Sequence, residues 1–142
     1  MVIEIKHTQK DGNAMSRYEF QVGTDPELMV WSKDRERFES AHDLIPGTKE
    51  DPHPVNMGFI QRDGVAAEFN IHPVTSADDF LSSIRAVMKT LQEDFLGDKY
   101  ELVAQPTAYF TQEYFDSLPD DPKILGCTPD YNAYTGEPNI PP

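Results

Sequence analysis

Carboxylates recur at alternate positions in two segments that have the pattern of β-strands. Asp25 and Glu27 stand two residues apart where GTDPELMVW enters an apolar run, and Glu68 stands in VAAEFNIH, residues 65–72. Because alternate residues of a strand point to the same face, the two acids of the first segment share one face. Pro26 indicates irregular backbone between them. If both segments join one sheet, the three acids can converge.

Carboxylates held close together repel one another, so such a group either takes up a proton or binds a cation. Oxygen ligands without a cysteine favour Mg²⁺ or Mn²⁺, and these ions commonly neutralise nucleotide phosphates. The sequence therefore predicts a divalent metal site formed by Asp25, Glu27 and Glu68. The alternative is an exposed polar strand face without a ligand, because such alternation is ordinary in antiparallel sheets. Asp63, at the turn before the second segment, is expected to lie too far away to join the group.

Further polar side chains flank these acids. Asn70 and His72 alternate with Glu68 and fall on its side of the strand, which makes them candidates for a ligand contact. Lys49 lies in the Gly-containing loop IPGTK, where it can meet a phosphate or carboxylate. The glycine spacing there is not that of a P-loop, and a solvated lysine is the alternative. The other face of the strand is apolar and can pack into a core: Val65, Ala67, Phe69 and Ile71.

Charge and composition restrict the classes of partner. The chain has 142 residues, a formal net charge of −13 and 38% apolar residues. This balance argues against binding nucleic acid through phosphates and favours cationic partners, including divalent metals. An acidic inhibitor that mimics DNA is an alternative that fits the same charge. Cys127, the one cysteine, indicates a reducing, cytoplasmic setting, and no signal-peptide core or membrane-length apolar window is present.

Strand patterns dominate the elements that would position these residues. They cover residues 2–6, 18–22, 28–31, 57–62, 65–71 and 100–104. Asp63-Gly64 is a tight-turn signal between two of them and predicts a hairpin, and DGN at 11–13 is another turn signal. Residues 32–56 are charged and rich in Pro and Gly, which predicts a long loop.

One long helix is predicted after residue 75. Ser76 and Asp79 fit a capping box, and Gly97 provides a stop. Its apolar face is Phe80, Ile84, Val87, Met88, Leu91 and Phe95. A short helix is predicted over 112–118, ended by Pro119. The fold class is therefore α+β, an antiparallel sheet with a helix packed on one face.

The chain is predicted to form a single domain over residues 1–142. Residues 1–17 are a possible added strand or arm, and residues 119–142 are a Pro-rich, loosely structured tail.

Four segments together resemble one enzyme family. They are GTDPE at 23–27, IPGTKEDP at 45–52, QRDGVAAEFNIHP at 61–73 and GCTPDYNAY at 126–134. Their order and spacing are similar to those of the phage-type carboxylate–amine ligases (amidoligases) of the glutamine synthetase and glutamate–cysteine ligase superfamily. The resemblance implies a fold like half of a glutamine synthetase-type catalytic domain.

The resemblance also implies an activity, ATP-dependent amide or peptide bond formation. A carboxylate is phosphorylated by ATP, and an amine then attacks the acyl phosphate. The implied cofactors are ATP and Mg²⁺ or Mn²⁺, and the implied ligands are a nucleotide and carboxylate and amine substrates. The implied metal ligands are Asp25, Glu27 and Glu68. The implied cofactor contacts are Asn70 and His72. The implied catalytic contacts with phosphate or substrate are Lys49 and Arg62.

This sequence departs from the family pattern at its C-terminal end. The family continues with a Gly-Gly-His-x-His-like segment, which is absent, and no arginine follows Arg85. Three explanations are open: a fragment of a longer ligase, one subunit of a split enzyme, or a non-catalytic phage binding or assembly protein on the same scaffold. An uncovered sheet edge predicts association with itself or a second chain. If phage-encoded, the protein would act in the host cytoplasm.

Overall fold

The computed structural model describes residues 2–7, 18–124 and 134–137. Strands β1 (Val2–His7) and β2 (Tyr18–Gly23) form an antiparallel pair, which confirms the two strands expected at the start of the chain. The turn predicted at residues 11–13 lies outside the described residues. Within these ranges no helix is long and apolar enough to cross a membrane.

A six-stranded antiparallel sheet forms the centre of the fold. Its strands are β3 (Glu27–Ser32), β4 (Arg37–Glu39), β5 (His53–Val55), β6 (Gly58–Asp63), β7 (Ala66–Ile71) and β8 (Tyr100–Val103). The order is β4-β3-β7-β6-β5, and β8 also pairs with β3. The sheet and its packed helix confirm the α+β prediction.

The β6–β7 hairpin has the best-defined register in the sheet. Six residue pairs join its strands, from Gly58↔Ile71 to Asp63↔Ala66. The loop between them has only two residues, and the first, Gly64, has φ +55°, a conformation that glycine adopts without a Cβ clash. Such a short loop leaves no freedom for a one-residue slip, which would exchange the two faces of both strands.

Helix α1 (Ala77–Thr90) packs against β6 and β7. Its cap is the predicted one, because the Ser76 hydroxyl oxygen accepts a hydrogen bond from the Asp79 backbone N–H at 3.1 Å. A π-helical turn, Leu91–Leu96, follows and ends at Gly97, φ +61°. The buried core between helix and sheet includes Leu28, Val30, Ile60, Phe69, Ile71, Val87 and Leu91.

The prediction of an uninterrupted loop over 32–56 was wrong. This segment contains β4, a 3₁₀ turn at Ala41–Asp43 and β5, and Ala41 and Ile45 are buried. Strands of three residues are too short for a periodic pattern, and pairing with β3 and β6 stabilises them.

The C-terminal part of the described chain folds back onto the sheet. Helix α2 (Gln112–Ser117) confirms the short helix predicted there, and its Tyr114 hydroxyl accepts a hydrogen bond from the Ser40 backbone N–H at 2.9 Å. Pro122, in a following 3₁₀ turn, is buried. Most of the tail predicted at 119–142, and nearly all of the segment GCTPDYNAY, lies outside the described residues.

Candidate metal site

Strand pairing places the acids on one face of the sheet. Glu27 lies directly opposite Glu68, which lies directly opposite Gln61 on its other side. Paired residues point to the same face, and Asp63 shares that face because it follows Gln61 by two residues. We call the face that these four residues define the acid face. The apolar residues that alternate with them point to the opposite face, toward α1 and the core.

Three carboxylates converge on the acid face. Oxygen atoms of Glu27, Asp63 and Glu68 all lie within 4.8 Å of one another. Oxygen ligands bind Mg²⁺, Mn²⁺ or Ca²⁺ at about 2.0–2.6 Å, so two ligands of one ion are separated by at most about 4–5 Å. The three side chains differ in exposure: Glu27 is exposed, Asp63 is half-buried, and Glu68 is only 7% exposed. A small shift of the exposed Glu27 side chain would bring all three onto one cation that enters from the solvent side.

The surroundings of Glu68 disfavour its charged form. Burial raises the pKa of the Glu68 carboxyl, and the negative charges of Asp63 and Glu27 raise it further. A hydrogen bond from Gln61 and the charge of Lys49 act in the opposite direction without cancelling the rise. A buried carboxylate beside two others is the arrangement that a divalent cation stabilises.

Lys49 neutralises part of this charge. Its Nζ lies 2.5 Å from Asp63 Oδ2. The hydrogen bond with Asp63 raises the pKa of Lys49, and the charges of Asp63, Glu68 and Glu27 add to that effect. The ammonium group is therefore held in its charged form beside the three carboxylates.

The loop that bears Lys49 is fixed against the edge of the sheet. The Arg62 backbone N–H donates to the Gly47 carbonyl at 3.3 Å, and the Thr48 N–H donates to the Asp51 carbonyl at 3.1 Å. Gly47 has φ +85°, and a Cβ there would lie 2.4 Å from the Ile60 carbonyl oxygen. Only glycine permits this close approach, which places Lys49 within reach of β6.

Gln61 adds a neutral oxygen to the acid face. The residue is 4% exposed, and its amide hydrogen-bonds Glu68. Its Oε1 is buried and has no hydrogen-bond partner among residues 2–7, 18–124 and 134–137. A buried acceptor without a partner costs about 1–3 kcal/mol and calls for an explanation. An amide oxygen beside three carboxylates forms a set of hard oxygen donors, which fits Mg²⁺, Mn²⁺ or Ca²⁺.

A cavity of about 250 Å³ adjoins the acid face beside Asp63. Its lining consists of Thr48, Lys49, Glu50, Arg62, Asp63, Gly64, Asp121 and Ile124. Arg62 Nη1 donates to the His42 carbonyl at 2.9 Å, whereas its Nε is buried and has no hydrogen-bond partner in the described part of the chain. The volume is below the roughly 300–1,000 Å³ of sites for drug-sized ligands, so it suits a phosphate or small carboxylate group better than a whole nucleotide.

The structure brings together only some of the residues singled out from the sequence. Glu27 and Glu68 meet, but the third carboxylate is Asp63, and Asp25 is exposed and is not one of the three. The expectation that Asp63 lies too far away was wrong, because the two-residue loop holds it diagonally opposite Glu68. The hairpin signal and the strand alternation together could have identified Asp63 and Gln61.

The two other candidates from the sequence, Asn70 and His72, follow Glu68 along the chain and lie farther from the carboxylates. Asn70 is half-buried and pairs with Phe59. His72 is exposed, and its ring packs edge-on against Phe59 with 5.2 Å between ring centroids. At about 3.3 Å per residue they lie roughly 7 and 13 Å from Glu68 along the chain, so they border the acid face without joining the carboxylate group.

Comparison with models of known protein families, with curated proteins and with solved structures found no match. Three converging carboxylates and a buried amide oxygen can hold a divalent cation, and the adjoining cavity is lined by Lys49 and Arg62.

Proposed function

We propose that this chain binds Mg²⁺ or Mn²⁺ through Glu27, Asp63 and Glu68, and that the site serves ATP-dependent carboxylate–amine ligation. The observation that supports the proposal most directly is the convergence of three carboxylates, one of them buried, within 4.8 Å. Carboxylates in this arrangement are electrostatically unfavourable without a cation, and the donor set is that of a hard divalent ion.

Each residue has a distinct role in the proposed site. Glu27, Asp63 and Glu68 would hold the ion, with Gln61 Oε1 as a neutral oxygen beside them. An ion held there would supply electrostatic stabilisation to phosphate oxygens. Lys49 and Arg62 line the adjoining cavity together with Glu50, Asp63 and Asp121, so a phosphate or carboxylate group there would be favoured once the ion neutralises Asp63.

The proposed ligation would use the charge of this ion to neutralise a phosphoryl group. The four sequence segments that resemble the phage-type ligases include Glu27, Lys49, Asp63 and Glu68. We further propose that a segment or second chain corresponding to the family's histidine-containing part completes the active site. The substrates would then be a carboxylate, an amine and ATP, used in the host cytoplasm if the gene belongs to a phage.

Calorimetric titration of the purified chain tests the proposal. MnCl₂ is titrated first, and a non-hydrolysable ATP analogue is then titrated with and without Mn²⁺. We expect Mn²⁺ to bind and the analogue to bind only when Mn²⁺ is present. Glu27→Gln should weaken Mn²⁺ binding about tenfold, since it removes one charged ligand from an exposed position.

Glu101→Gln is the matched control. Glu101 is also an exposed strand glutamate. It pairs with Trp31, which follows Glu27 by four residues, so Glu101 lies on the same face as Glu27 but about 13 Å away along β3. Its replacement should leave Mn²⁺ affinity unchanged. A wild-type chain that binds no Mn²⁺ would refute the metal site. Mn²⁺ binding without nucleotide binding would refute the ATP-dependent activity for this chain and favour a non-catalytic binding role on the same scaffold.

A further inference from the structure

Lys49 occupies the position of a cation in the group of carboxylates. Its Nζ lies 2.5 Å from Asp63 Oδ2, and the charges of Glu68 and Glu27 also act on it. Any divalent ion that binds the same three carboxylates must replace this contact or share Asp63 with it. An ammonium and a metal ion cannot both lie in close contact with one small carboxylate group without strong mutual repulsion.

The Lys49 side chain can leave without a change in the backbone. Gly47 and Thr48 are fixed by backbone hydrogen bonds, whereas the Lys49 side chain is 53% exposed and has four rotatable bonds. It also lines the 250 Å³ cavity that contains Arg62. Asp63 lines the same cavity, so a rotation of the Lys49 side chain moves the ammonium away from Asp63 to another part of the cavity wall.

Gln61 provides the second observation that points to an ion in this place. Its buried Oε1 has no hydrogen-bond partner in the described ranges, and its amide already hydrogen-bonds Glu68. An ammonium that contacts Asp63 leaves this oxygen without a partner. A divalent ion, which takes six or more oxygen ligands, would give it one.

We propose that divalent cation binding is an exchange in which the metal displaces the Lys49 ammonium from the carboxylates and the released Lys49 joins Arg62 in the adjoining cavity. The proposal rests on the proposed metal site and adds a consequence to it. Because Asp63 also lines the cavity, the cavity becomes more positive when the metal takes up the charge of Asp63 and leaves Lys49 without its ion pair. A bound metal ion therefore favours anion binding, and a bound anion favours metal binding. The link is Lys49, whose ammonium cannot contact Asp63 and the anion at once.

Substitution of Lys49 tests the exchange through metal affinity. Calorimetry with MnCl₂ alone at low ionic strength compares the wild type with Lys49→Met, which keeps an unbranched side chain one atom shorter and removes the ammonium. We expect Lys49→Met to bind Mn²⁺ about five- to tenfold more tightly, because no ion pair has to be broken. Lys49→Arg, which keeps a cation at Asp63, should bind Mn²⁺ no more tightly than the wild type.

Lys33→Met is the matched control for net charge. Lys33 is exposed and follows the far end of β3, about 20 Å from Glu27, so its loss should change Mn²⁺ affinity by less than about twofold. A gain in Lys49→Met no larger than the gain in Lys33→Met would overturn the exchange while leaving the metal site intact. Absence of Mn²⁺ binding in both the wild type and Lys49→Met would overturn the metal site and the exchange together.

A second measurement follows the lysine itself. Brief acetylation of the wild type, read by peptide mass spectrometry, reports how strongly each amine is protected. We expect Mn²⁺ to increase the modification of Lys49 at least about threefold and to leave Lys33 and Lys99 unchanged, because only Lys49 loses its ion pair with Asp63. If Mn²⁺ binds but leaves Lys49 as protected as before, the ammonium stays in place and the exchange does not occur.

Discussion

Two buried glutamates of the same sheet have opposite surroundings. Glu39, on β4, is 4% exposed and accepts hydrogen bonds from Arg35 Nη1 at 2.8 Å and Arg37 Nε at 3.1 Å. Glu68, on β7, is 7% exposed and faces Asp63 and Glu27, and only the neutral amide of Gln61 and the charge of Lys49 favour its ionised form.

This difference in surroundings distinguishes Glu39, a structural carboxylate, from Glu68, a candidate metal ligand. Glu39 has guanidinium partners that compensate its charge, so burial does not require an external ion. The Arg37 guanidinium in turn lies over the Tyr114 ring at 4.4 Å, which ties β4 to α2. Glu68 has neighbours of like charge, and its environment becomes favourable when a cation is added. Burial alone would have ranked the two residues as equals.

The largest expected effect that distinguishes them is on metal affinity. Glu68→Gln keeps the shape of the side chain and removes the charge of the central ligand, so Mn²⁺ affinity should fall about 100-fold or more. Glu39→Gln should leave Mn²⁺ affinity within about twofold of the wild type. Calorimetry on both variants measures this, and equal losses in the two would contradict the assignment of Glu68 as a ligand.

The next effect is on stability, where Glu39 should be the more sensitive residue. Glu39→Gln leaves Arg37 beside a neutral amide and weakens two charge-assisted hydrogen bonds, so the free energy of unfolding should fall by about 1–2 kcal/mol. Urea denaturation gives the value, with Glu101→Gln as the exposed control, expected within about 0.5 kcal/mol of the wild type. No loss in Glu39→Gln would mean that its ion pairs contribute nothing to the fold.

Glu68→Gln should raise the free energy of unfolding at neutral pH, whereas Glu39→Gln should lower it. Since the pKa of Glu68 is raised in the folded state, the unfolded chain loses this proton first as pH rises above the ordinary glutamate pKa of 4.5. The contribution of Glu68 to stability is therefore greatest below that value, and it falls as pH rises toward the folded-state pKa. Glu68→Gln should remove this decline and stabilise the metal-free protein at pH 7 by on the order of 1 kcal/mol.

Urea denaturation of both proteins from pH 4 to pH 8, with a chelator present, measures the difference. A Glu68→Gln variant that is less stable than the wild type at pH 7 would show that the carboxylate is compensated within the protein. In a separate measurement without chelator, Mn²⁺ should raise the melting temperature of the wild type more than that of the variant. The variant binds Mn²⁺ more weakly, and ligand binding stabilises only the folded state that binds.

The smallest expected effect concerns the amide that hydrogen-bonds Glu68. Gln61→Met replaces the buried oxygen with an apolar group of similar length, so Mn²⁺ affinity should fall about threefold while metal-free stability changes by less than about 1 kcal/mol. Calorimetry and denaturation on one preparation give both numbers. Unchanged Mn²⁺ affinity would mean that Gln61 supports the fold and is not a ligand.

Local patterns in the sequence were sufficient for the longer regular elements. Alternation identified β2, β6 and β7, and the Ser76 cap with the apolar repeat identified α1, because each signal lies within a dozen or so neighbouring residues. The same alternation put Glu27 and Glu68 on strand faces and made them candidates. Strands β4 and β5 were missed because three residues contain too little pattern, and their pairing partners stabilise them.

The sequence by itself determined that acids would lie on one face of an antiparallel sheet, since strand parity depends only on residue spacing. Tertiary structure decided which acids of distant segments meet. The cross-strand register placed Glu27 opposite Glu68, and the two-residue loop brought Asp63 to them in place of Asp25. The fixed loop at Gly47 placed Lys49 against Asp63. Contacts between distant segments depend on register and loop geometry, which no single segment encodes.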